Sequence, residues 1–337
     1  MGQILALQKP ILPSADDTAS RVKAILDAGT AENTRKAYRK DIEYFSAWHR
    51  ATTGRLLLYP IPVPVVVRFI VDHLKIMPGM VETGLIEQGF KARIGQHSLS
   101  TVCRRIASLS VLHEARKLEN PCRSAEVTTL LSKAKRAQAK EGGPQKKRAI
   151  TRDILDLMLN TCGNSLIDKR DKALLLFGFS SGGRRRSEIA SAKVETLTPV
   201  EGGYVYHIPM SKTDQEGRGQ DVPVLGRAAI ALDAWLEAAR IEDGFIFRGV
   251  AKGGRITDRL SDKAVARIVK KRAEMVGLDP VQFGGHSLRS GFVTEAGRQG
   301  KTLADTMTLS GHKSMSTALK YHQSGAVVHN TAARLAD

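Results

Sequence analysis

Seven side chains that can hold, protonate or attack a phosphodiester lie in the second half of the chain. They are Arg185, Glu188, Lys212, His286, Arg289, His312 and Tyr321. The two histidines are 26 positions apart, and the tyrosine follows the second histidine by nine positions. Each of these residues is common by itself, and a lone tyrosine in a helix most often serves packing. The order and spacing of the whole set, on a basic chain, indicate a phosphate-cleaving site.

Cleavage of a phosphodiester without a metal ion requires three kinds of side chain. Negative charge grows on the non-bridging oxygens in the transition state, and forked guanidinium groups match those oxygens, so Arg185 and Arg289 are the predicted phosphate clamp. The leaving 5′-oxygen needs a proton, and Lys212 in a polar loop is the predicted general acid. Tyr321 is the predicted nucleophile, because a phenol ionises more readily than a serine hydroxyl.

The two histidines and Glu188 complete this predicted site. His286 and His312 are predicted to hold phosphate oxygens and to assist proton transfer. Glu188 lies about one helical turn after Arg185 and is predicted to fix that arginine. The sequence shows no acidic cluster for Mg²⁺, no zinc-ligand spacing and no phosphate-binding loop typical of ATPases, so we expect no metal and no cofactor.

The charge balance indicates an anionic partner. The 337 residues include 52 lysines and arginines against 34 acidic residues, which gives a formal net charge of +18. Nucleic acid relieves the self-repulsion of such a chain, and the charge is spread through both halves rather than confined to a tail. We therefore expect double-stranded DNA as the partner.

Targeting and membrane signals are absent from the sequence. The first residues lack a charged region followed by a long apolar core, and no apolar run reaches the roughly 18 residues of a membrane span. Cys103, Cys122 and Cys162 show no pairing pattern, which favours a reducing compartment. We expect a cytoplasmic, nucleoid-associated protein with no membrane partner.

Residues 1–15 are predicted to form a loose arm, and residues 16–139 an all-helical domain. In the clearest helix, apolar residues from Tyr38 to Trp48 share one face, and cations occupy the other. A later helix, predicted to begin near Ser100, carries two more arginines. The predicted DNA contacts of this domain are Arg35, Lys36, Arg39, Lys40, Arg104 and Arg105. An ordinary solvated face is the alternative interpretation of these charges.

Residues 140–149 are predicted to link two domains, because two glycines and a proline interrupt the helical pattern there. Lys146, Lys147 and Arg148 suit a segment that lies along a phosphate backbone, although a solvated linker is the alternative.

Residues 150–325 are predicted to form a second, mostly helical domain with a small antiparallel sheet. The alternating segment 192–197 and the segments 204–208 and 221–224 are its predicted strands. Residues 326–337 are a predicted C-terminal tail. The predicted fold class is therefore mostly α, with a helical domain followed by an α+β domain.

The chemistry-bearing residues resemble those of the tyrosine recombinase (phage integrase) family, in its simple two-domain Cre/Xer-like type, over residues 16–325. The most specific part is His286-Ser-Leu-Arg289, Gly311-His312 and Tyr321, whose separations fit the family. The segment from Ser181 to Ile189 looks like the family's first arginine box, in which the catalytic arginine stands three positions before an acidic residue. The resemblance thus selects Arg185 over its two arginine neighbours, with Glu188 as the acidic partner, and puts Lys212 in the hairpin loop that holds the family's general acid.

The resemblance implies the DNA breaking-rejoining fold and a site-specific recombinase. It implies a core-binding domain and a catalytic domain that clamp duplex DNA, a 3′-phosphotyrosyl link at Tyr321, and strand exchange through a Holliday junction. It also implies a homotetramer on two DNA sites, each an inverted repeat, with the tail 326–337 docked on a neighbouring protomer. The DNA target, the choice between integration, excision and resolution, and any accessory proteins stay open.

Two alternative functions share much of this set. A type IB topoisomerase-like enzyme would use the same tyrosine chemistry to relax DNA with little sequence preference, and intermolecular products would separate it from a recombinase. A non-catalytic DNA-binding protein of the same fold would not need the complete set of residues.

Overall fold

The computed structural model describes residues 32–143, 147–209 and 219–327. Contacts within the chain divide it into two compact units, one up to residue 144 and one from residue 145. The predicted arm 1–15, Lys146, Lys212 and nearly all of the predicted tail 326–337 lie outside the described residues. None of the described helices has both the length and the apolar character that a membrane crossing demands.

The first unit is helical throughout its described part. Its α-helices are α1 (Glu32–Thr53), α2 (Val63–Leu74), α3 (Gly79–Glu87), α4 (Leu99–Ala115) and α5 (Ala125–Lys140). The predicted start of α4 near Ser100 is corrected by two residues, because the Ser98 hydroxyl accepts the backbone N–H of Thr101 and thereby caps the helix. Helix α3 was not predicted from the sequence.

An aromatic cluster forms the core of the first unit. Phe45 and Trp48 on α1 pack against Phe69 on α2, and all three side chains are buried. The indole N–H of Trp48 donates to a carboxylate oxygen of Asp72 at 3.0 Å. Of the predicted apolar face from Tyr38 to Trp48, Phe45 and Trp48 are buried in this core, Ile42 packs against it, and Tyr38 is only half-buried.

Hydrogen bonds link the side chains of Tyr44, His73 and His97 in the same unit. The Nδ1 atom of His73 lies 2.6 Å from the carbonyl oxygen of Phe69, so it carries the proton, and Nε2 of the neutral ring accepts the Tyr44 hydroxyl at 2.8 Å. The Tyr44 oxygen is then free to accept Nε2–H of His97 at 3.0 Å. The guanidinium of Arg105 covers the face of the Tyr44 ring, with its central carbon 3.2 Å from the ring centroid.

This cluster should make the first unit sensitive to acid. Burial, followed by nearby positive charges, lowers the pKa of His73 to about 3 and that of His97 to about 4. Unfolded histidines take up protons near pH 6.5, so protonation favours the unfolded state, and stability falls as the pH drops from about 6.5 toward 4. We expect His73 to contribute a slope of about 1.4 kcal/mol per pH unit and the half-exposed His97 less.

The two tryptophans of the chain allow this loss to be measured in one unit at a time. Trp48 reports on the first unit and Trp235 on the second, so urea unfolding of a Trp235→Phe variant follows the first unit alone. His73→Gln should flatten the pH dependence. An unfolding midpoint that stays constant between pH 7 and pH 5 would contradict the expectation.

The second unit combines helices with a three-stranded antiparallel sheet in the order β1-β2-β3. The strands are β1 (Leu197–Val200), β2 (Gly203–Ile208) and β3 (Gln220–Leu225). The helices are α6 (Arg152–Asn160), α7 (Leu166–Ser180), α8 (Arg186–Ser191), α9 (Arg227–Ala239), α10 (Asp262–Met275), α11 (Ser287–Arg298), α12 (Leu303–Ser310) and α13 (Met315–Ala326).

The predicted strand 192–197 is wrong in its bounds. Val194–Thr196 is a short 3₁₀ helix, and β1 begins only at Leu197. The backbone N–H and the hydroxyl of Thr196 both bond the carbonyl of Lys193, which turns the chain before the strand begins. The other two strands lie where the sequence placed them, within one residue at each end.

Helix α7 forms the centre of the second unit. Its residues from Ala173 to Gly178 are all buried, so every face of this part of the helix is covered. The helix packs against α9, α11 and β3. The ring of Phe177 contacts those of Tyr206 on β2 and Phe247. The mostly α fold class with a small antiparallel sheet is thus confirmed.

Candidate active site

Arg185 and Glu188 are joined at the start of a short helix. The backbone N–H of Arg185 donates to Oε2 of Glu188 at 3.0 Å, and Nη1 of its guanidinium donates to Oε1 at 2.6 Å. The Glu188 carboxylate is buried, whereas the Arg185 side chain keeps 21% of its surface exposed. The paired carboxylate therefore fixes the guanidinium and leaves one side of it open to a ligand.

Arg289 lies deeper in the same place. Its side chain is on the first turn of α11 and only 2% exposed, and Nη1 donates to the carbonyl of Gly183 at 3.1 Å. A Cβ on Gly183, which has a φ of +71°, would lie 2.7 Å from the Arg289 Cα, so the approach requires glycine. Burial, followed by the charges of Arg185 and Arg184, lowers the pKa of Arg289 to about 10.

His286 and His312 lie beside these arginines. His286 precedes α11, and the surrounding protein lowers its pKa first by displacing water and then through the charges of Arg289 and Arg185. His312 follows the left-handed Gly311 at the end of α12, and burial, followed by the same two arginines, lowers its pKa to about 4. Both rings are therefore neutral at pH 7 and can each offer one donor and one acceptor.

Arg184 also belongs to this cluster, although sequence reasoning passed over it. The side chain is 1% exposed; its Nη2 donates to the carbonyl of Leu309 at 2.6 Å, and its Nη1 lies 3.8 Å from Oε2 of Glu188. The only signal in the sequence is the triple arginine after two glycines. Nothing in a run of three arginines indicates that the first of them is the buried one.

The cluster carries more positive than negative charge. In the described part of the chain, the guanidinium groups of Arg184 and Arg185 pair with the Glu188 carboxylate, and that of Arg289 lies near enough for all three charges to act on its pKa. Nη2 of Arg289 and Nε of Arg184 are buried and have no hydrogen-bond partner among the described residues. Buried donors without partners cost free energy, and an anion with several oxygens would satisfy them. The arrangement therefore has the donors and the charge to bind an anion such as a phosphate.

Tyr321 lies on α13, and two glycines bring this helix close to α11. A Cβ on Gly297 would lie 2.1 Å from the carbonyl oxygen of His322, and one on Gly325 would lie 1.9 Å from that of Thr294. The Tyr321 side chain is half-buried, and its hydroxyl makes no hydrogen bond to any residue that the structure describes. The phenol is thus held on a tightly packed helix, and the described residues leave its oxygen without a hydrogen-bond partner.

We expect Gly325→Ala to loosen the helix that bears Tyr321. The added methyl group must push α13 away from the Thr294 carbonyl, and such overpacking typically costs about 1–3 kcal/mol. The measurement is the thermal unfolding of the second unit followed through Trp235. Gly277→Ala is unsuited as a control because its φ is +76°, whereas Gly163→Ala in the same unit, where the added Cβ would meet its nearest atom at 3.5 Å, should leave stability nearly unchanged. A Gly325→Ala variant as stable as wild type would contradict the tight crossing.

The cations predicted to contact DNA differ in their surroundings. Five are exposed on the first unit, and two of these have acidic partners: Lys36 pairs with Glu32 and Arg104 with Asp41. They are Arg35, Lys36, Arg39, Lys40 and Arg104. Lys147 and Arg148 are exposed and lie at the start of the second unit. The backbone N–H of Arg148 donates there to the carbonyl of Gln282 at 2.7 Å.

Arg105 is the exception to the predicted surface. Its side chain is buried against the Tyr44 ring and lies 3.6 Å from Asp41. The sequence pattern placed Arg104 and Arg105 together off the apolar face of the helix. In the structure, Arg105 instead points inward and packs against Tyr44 of α1. This residue is better placed to hold Tyr44 than to contact DNA.

Metal ligands are not grouped in the parts of the chain that the structure describes: no three His, Cys, Asp or Glu side chains lie close enough together to bind an ion. The described part of the site consists of arginines, histidines and one carboxylate. Lys146 and Lys212 cannot be placed against it, because both lie outside the described residues.

The chain is similar to known proteins over most of its length. The model of the phage integrase family matches residues 148–326. An integrase/recombinase XerD homologue of Selenomonas ruminantium is 32% identical over 327 residues, which cover 93% of this chain and 87% of the relative. The tyrosine recombinase XerD of Pseudomonas aeruginosa is 26% identical over 322 residues, 93% of this chain and 91% of the relative.

Solved structures share the fold. The Tn1549 transposon integrase in complex with transposon right end DNA has a TM-score of 0.61 at 13% identity and covers 95% of this chain and 98% of its own. A lambda integrase fragment bound to a core site has a TM-score of 0.56 at 18% identity and covers 91% and 94%. The chain therefore belongs to the phage integrase family. Within that family it is a Xer-like tyrosine recombinase, an enzyme that cleaves and rejoins DNA at specific sites.

Proposed function

We propose that Arg185 and Arg289 clamp the scissile phosphate of duplex DNA while Tyr321 attacks it. The observation that carries this proposal is the Nη2 of Arg289, which is buried and has no hydrogen-bond partner among the described residues, near an Arg185 side chain that is 21% exposed. Two forked donors on neighbouring elements match the two non-bridging oxygens of a phosphodiester, whose negative charge increases in the transition state. Glu188 keeps Arg185 in place, and His286 and His312 supply further donors to the same oxygens.

The reaction proceeds by exchange of one ester for another. The Tyr321 oxygen forms a bond to phosphorus, the bond from phosphorus to the 5′-oxygen breaks, and a 3′-phosphotyrosyl link results. Lys212 protonates the departing 5′-oxygen, and a neutral histidine of the pair receives the phenol proton. The reverse reaction, with a 5′-hydroxyl of another strand, rejoins the DNA. No nucleotide is consumed, because the phosphotyrosyl bond keeps the energy of the original ester.

The two units take different parts in this proposal. The first unit is a core-binding domain that contacts DNA through the exposed cations of α1 and Arg104 on α4, and the second unit is the catalytic domain. Lys146, Lys147 and Arg148 of the predicted linker contact the phosphate backbone in this proposal. The net charge of +18 supports an extended contact with an anionic polymer.

The assembly is a homotetramer on two DNA sites, each an inverted repeat, that exchanges strands through a Holliday junction. The tail 326–337 docks on a neighbouring protomer. The docking of the tail is supported by an apolar cavity of about 340 Å³ between α11 and α12. Phe179, Phe292 and Leu309 line this cavity. Such an enzyme acts on the nucleoid in the cytoplasm.

Covalent capture with sequencing tests the proposal. The protein is incubated with sheared DNA from its source and denatured, and the ends of protein-linked fragments are sequenced. Adducts that focus on one short inverted repeat are the expected result. A reaction that contains two marked DNA duplexes should also yield intermolecular products.

Two other results would each point elsewhere. Adducts scattered over all sequences, with relaxed circles and no intermolecular products, would favour the topoisomerase-like alternative. Tight DNA binding without any adduct, under conditions in which a Xer recombinase control reacts, would favour a non-catalytic DNA-binding protein.

A further inference from the structure

We propose that Arg184 is a positioning residue that holds the turn bearing His312 against the arginine segment. The inference rests on the proposed contact of His312 with the scissile phosphate. Arg184 itself does not touch the DNA in this proposal. It acts through the backbone at the end of α12.

The last carbonyls of α12 are bound from two sides. Nη2 of Arg184 donates to the carbonyl of Leu309 at 2.6 Å. From β3, Nε2 of Gln220 donates to the carbonyl of Thr308 at 2.6 Å and to that of Leu309 at 3.3 Å. The final carbonyls of a helix have no partner within the helix, so these two side chains satisfy groups that would otherwise need water.

The bound carbonyls lie immediately before His312. Ser310 is buried, and its hydroxyl bonds Nδ1 of His312 at 2.7 Å. Gly311 between them takes the left-handed conformation, with a φ of +67°. A displacement of the Leu309 carbonyl therefore moves Ser310 and, through it, the imidazole ring.

The backbone of the arginine segment passes so close to the Leu309 carbonyl that position 182 requires a glycine. A Cβ on Gly182, whose φ is +98°, would lie 2.2 Å from the Leu309 oxygen. The backbone before Arg184 and its side chain thus enclose the same carbonyl. This contact links the segment that carries Arg185 to the turn that carries His312.

A purely structural role explains Arg184 poorly. Its guanidinium is buried, Nε has no partner in the described part of the chain, and the nearest carboxylate oxygen is 3.8 Å away. Apolar side chains of similar volume commonly replace buried charges at no loss of stability. The Arg184 charge also acts on His312, since it is among the positive charges that lower the pKa of that ring.

Arg184→Met tests the proposal, with Arg186→Met as the matched control, because Arg186 is exposed and pairs with Asp262. We expect Arg184→Met to lower single-turnover cleavage about 10- to 100-fold, as for a displaced reacting group, while DNA affinity changes less than about twofold. In the free protein, the pKa of His312 measured by NMR titration should rise, because a nearby positive charge has been removed. Arg184→Lys should retain the titration of His312 but only part of the cleavage rate.

A double-mutant cycle separates positioning from general damage. If Arg184 acts through His312, Arg184→Met should lower the cleavage rate of a His312→Ala background only slightly. Multiplied losses, or an unchanged rate and unchanged His312 titration in Arg184→Met, would overturn the proposal. If Arg184→Met fails to fold, Gln220→Ala is the alternative variant, because it removes the other donor to the Thr308 and Leu309 carbonyls without removing a buried charge. This variant should lower the cleavage rate and leave the pKa of His312 unchanged.

The proposed function and this inference fail in different ways. Absence of a covalent adduct from the wild type would refute the role of Tyr321. The His312 titration in the free protein would still decide whether Arg184 controls that ring.

Discussion

Tyr321→Phe should abolish strand cleavage and leave DNA binding intact. The substitution removes one oxygen atom from a half-buried ring on α13, and that oxygen makes no hydrogen bond to the described residues, so the fold loses little. The reaction loses its nucleophile, and removal of a nucleophile typically costs roughly 10⁴-fold or more in rate. The measurement is the yield of covalent protein–DNA adduct on a nicked substrate, beside the dissociation constant for the same DNA.

Tyr204→Phe is a matched control for this loss. Tyr204 donates its hydroxyl to Asp233 at 2.6 Å on the exposed side of β2, so its removal changes a tyrosine of the same unit outside the arginine cluster. We expect adduct formation at the wild-type rate. Cleavage by Tyr321→Phe at a rate near that of wild type would show that another group attacks the phosphate.

Arg289→Ala should have the second largest effect on cleavage. Its Nη2 is the buried donor that the described residues leave without a partner, and the phosphate would receive it. Loss of a preorganised donor to a developing oxyanion costs about 2.7–4 kcal/mol, or about 10²–10³-fold in rate. The quantity to compare is the single-turnover cleavage rate at saturating DNA, so that weaker binding does not enter.

Two further variants define the role of Arg289. Arg298 lies on the same helix, is exposed, and pairs with Asp153 and Glu295, so Arg298→Ala should keep the wild-type cleavage rate. Arg289→Lys keeps a charge but not the fork, and should recover only part of the rate. Equal rates for Arg289→Ala and Arg298→Ala would remove Arg289 from the phosphate clamp.

The two predictions depend on different parts of the chain and need not fail together. Tyr321 acts through one atom, whereas Arg289 acts through its position between Gly183 and the neighbouring arginines. A variant set in which cleavage requires Tyr321 but not Arg289 would keep the family chemistry and reassign the clamp. Arg184, with its buried Nε, would then be the first arginine to test.

Sequence reasoning located most secondary structure in the second unit, because hydrophobic spacing and capping residues act locally. Strands β2 and β3 lie within one residue of their predicted bounds, and Ser314 caps α13 as a residue before a helix commonly does. The segment 192–197 was misplaced because its alternating pattern also fits a 3₁₀ turn that the carbonyl of Lys193 stabilises. Helix α3 was missed because it is short and begins at a glycine.

The sequence by itself determined the class of chemistry. The spacing of Arg185 and Glu188 predicted a pair, and the structure shows the two side chains bonded. His286 also stands immediately before α11, and Arg289 lies on the first turn of that helix. Both pairs thus join the residue before a helix to a residue on its first turn, a short-range relation that can be read from sequence order.

Only the tertiary structure decided which arginine is buried and what each one bonds. Arg184, Arg185 and Arg186 are consecutive, yet one caps the Leu309 carbonyl, one pairs with Glu188 and one faces Asp262. Likewise, Arg105 is buried on Tyr44 while its neighbour Arg104 stays at the surface. Burial depends on which distant segments pack nearby: the partner of Arg184 is 125 positions away along the chain, whereas that of Arg185 is only three positions away.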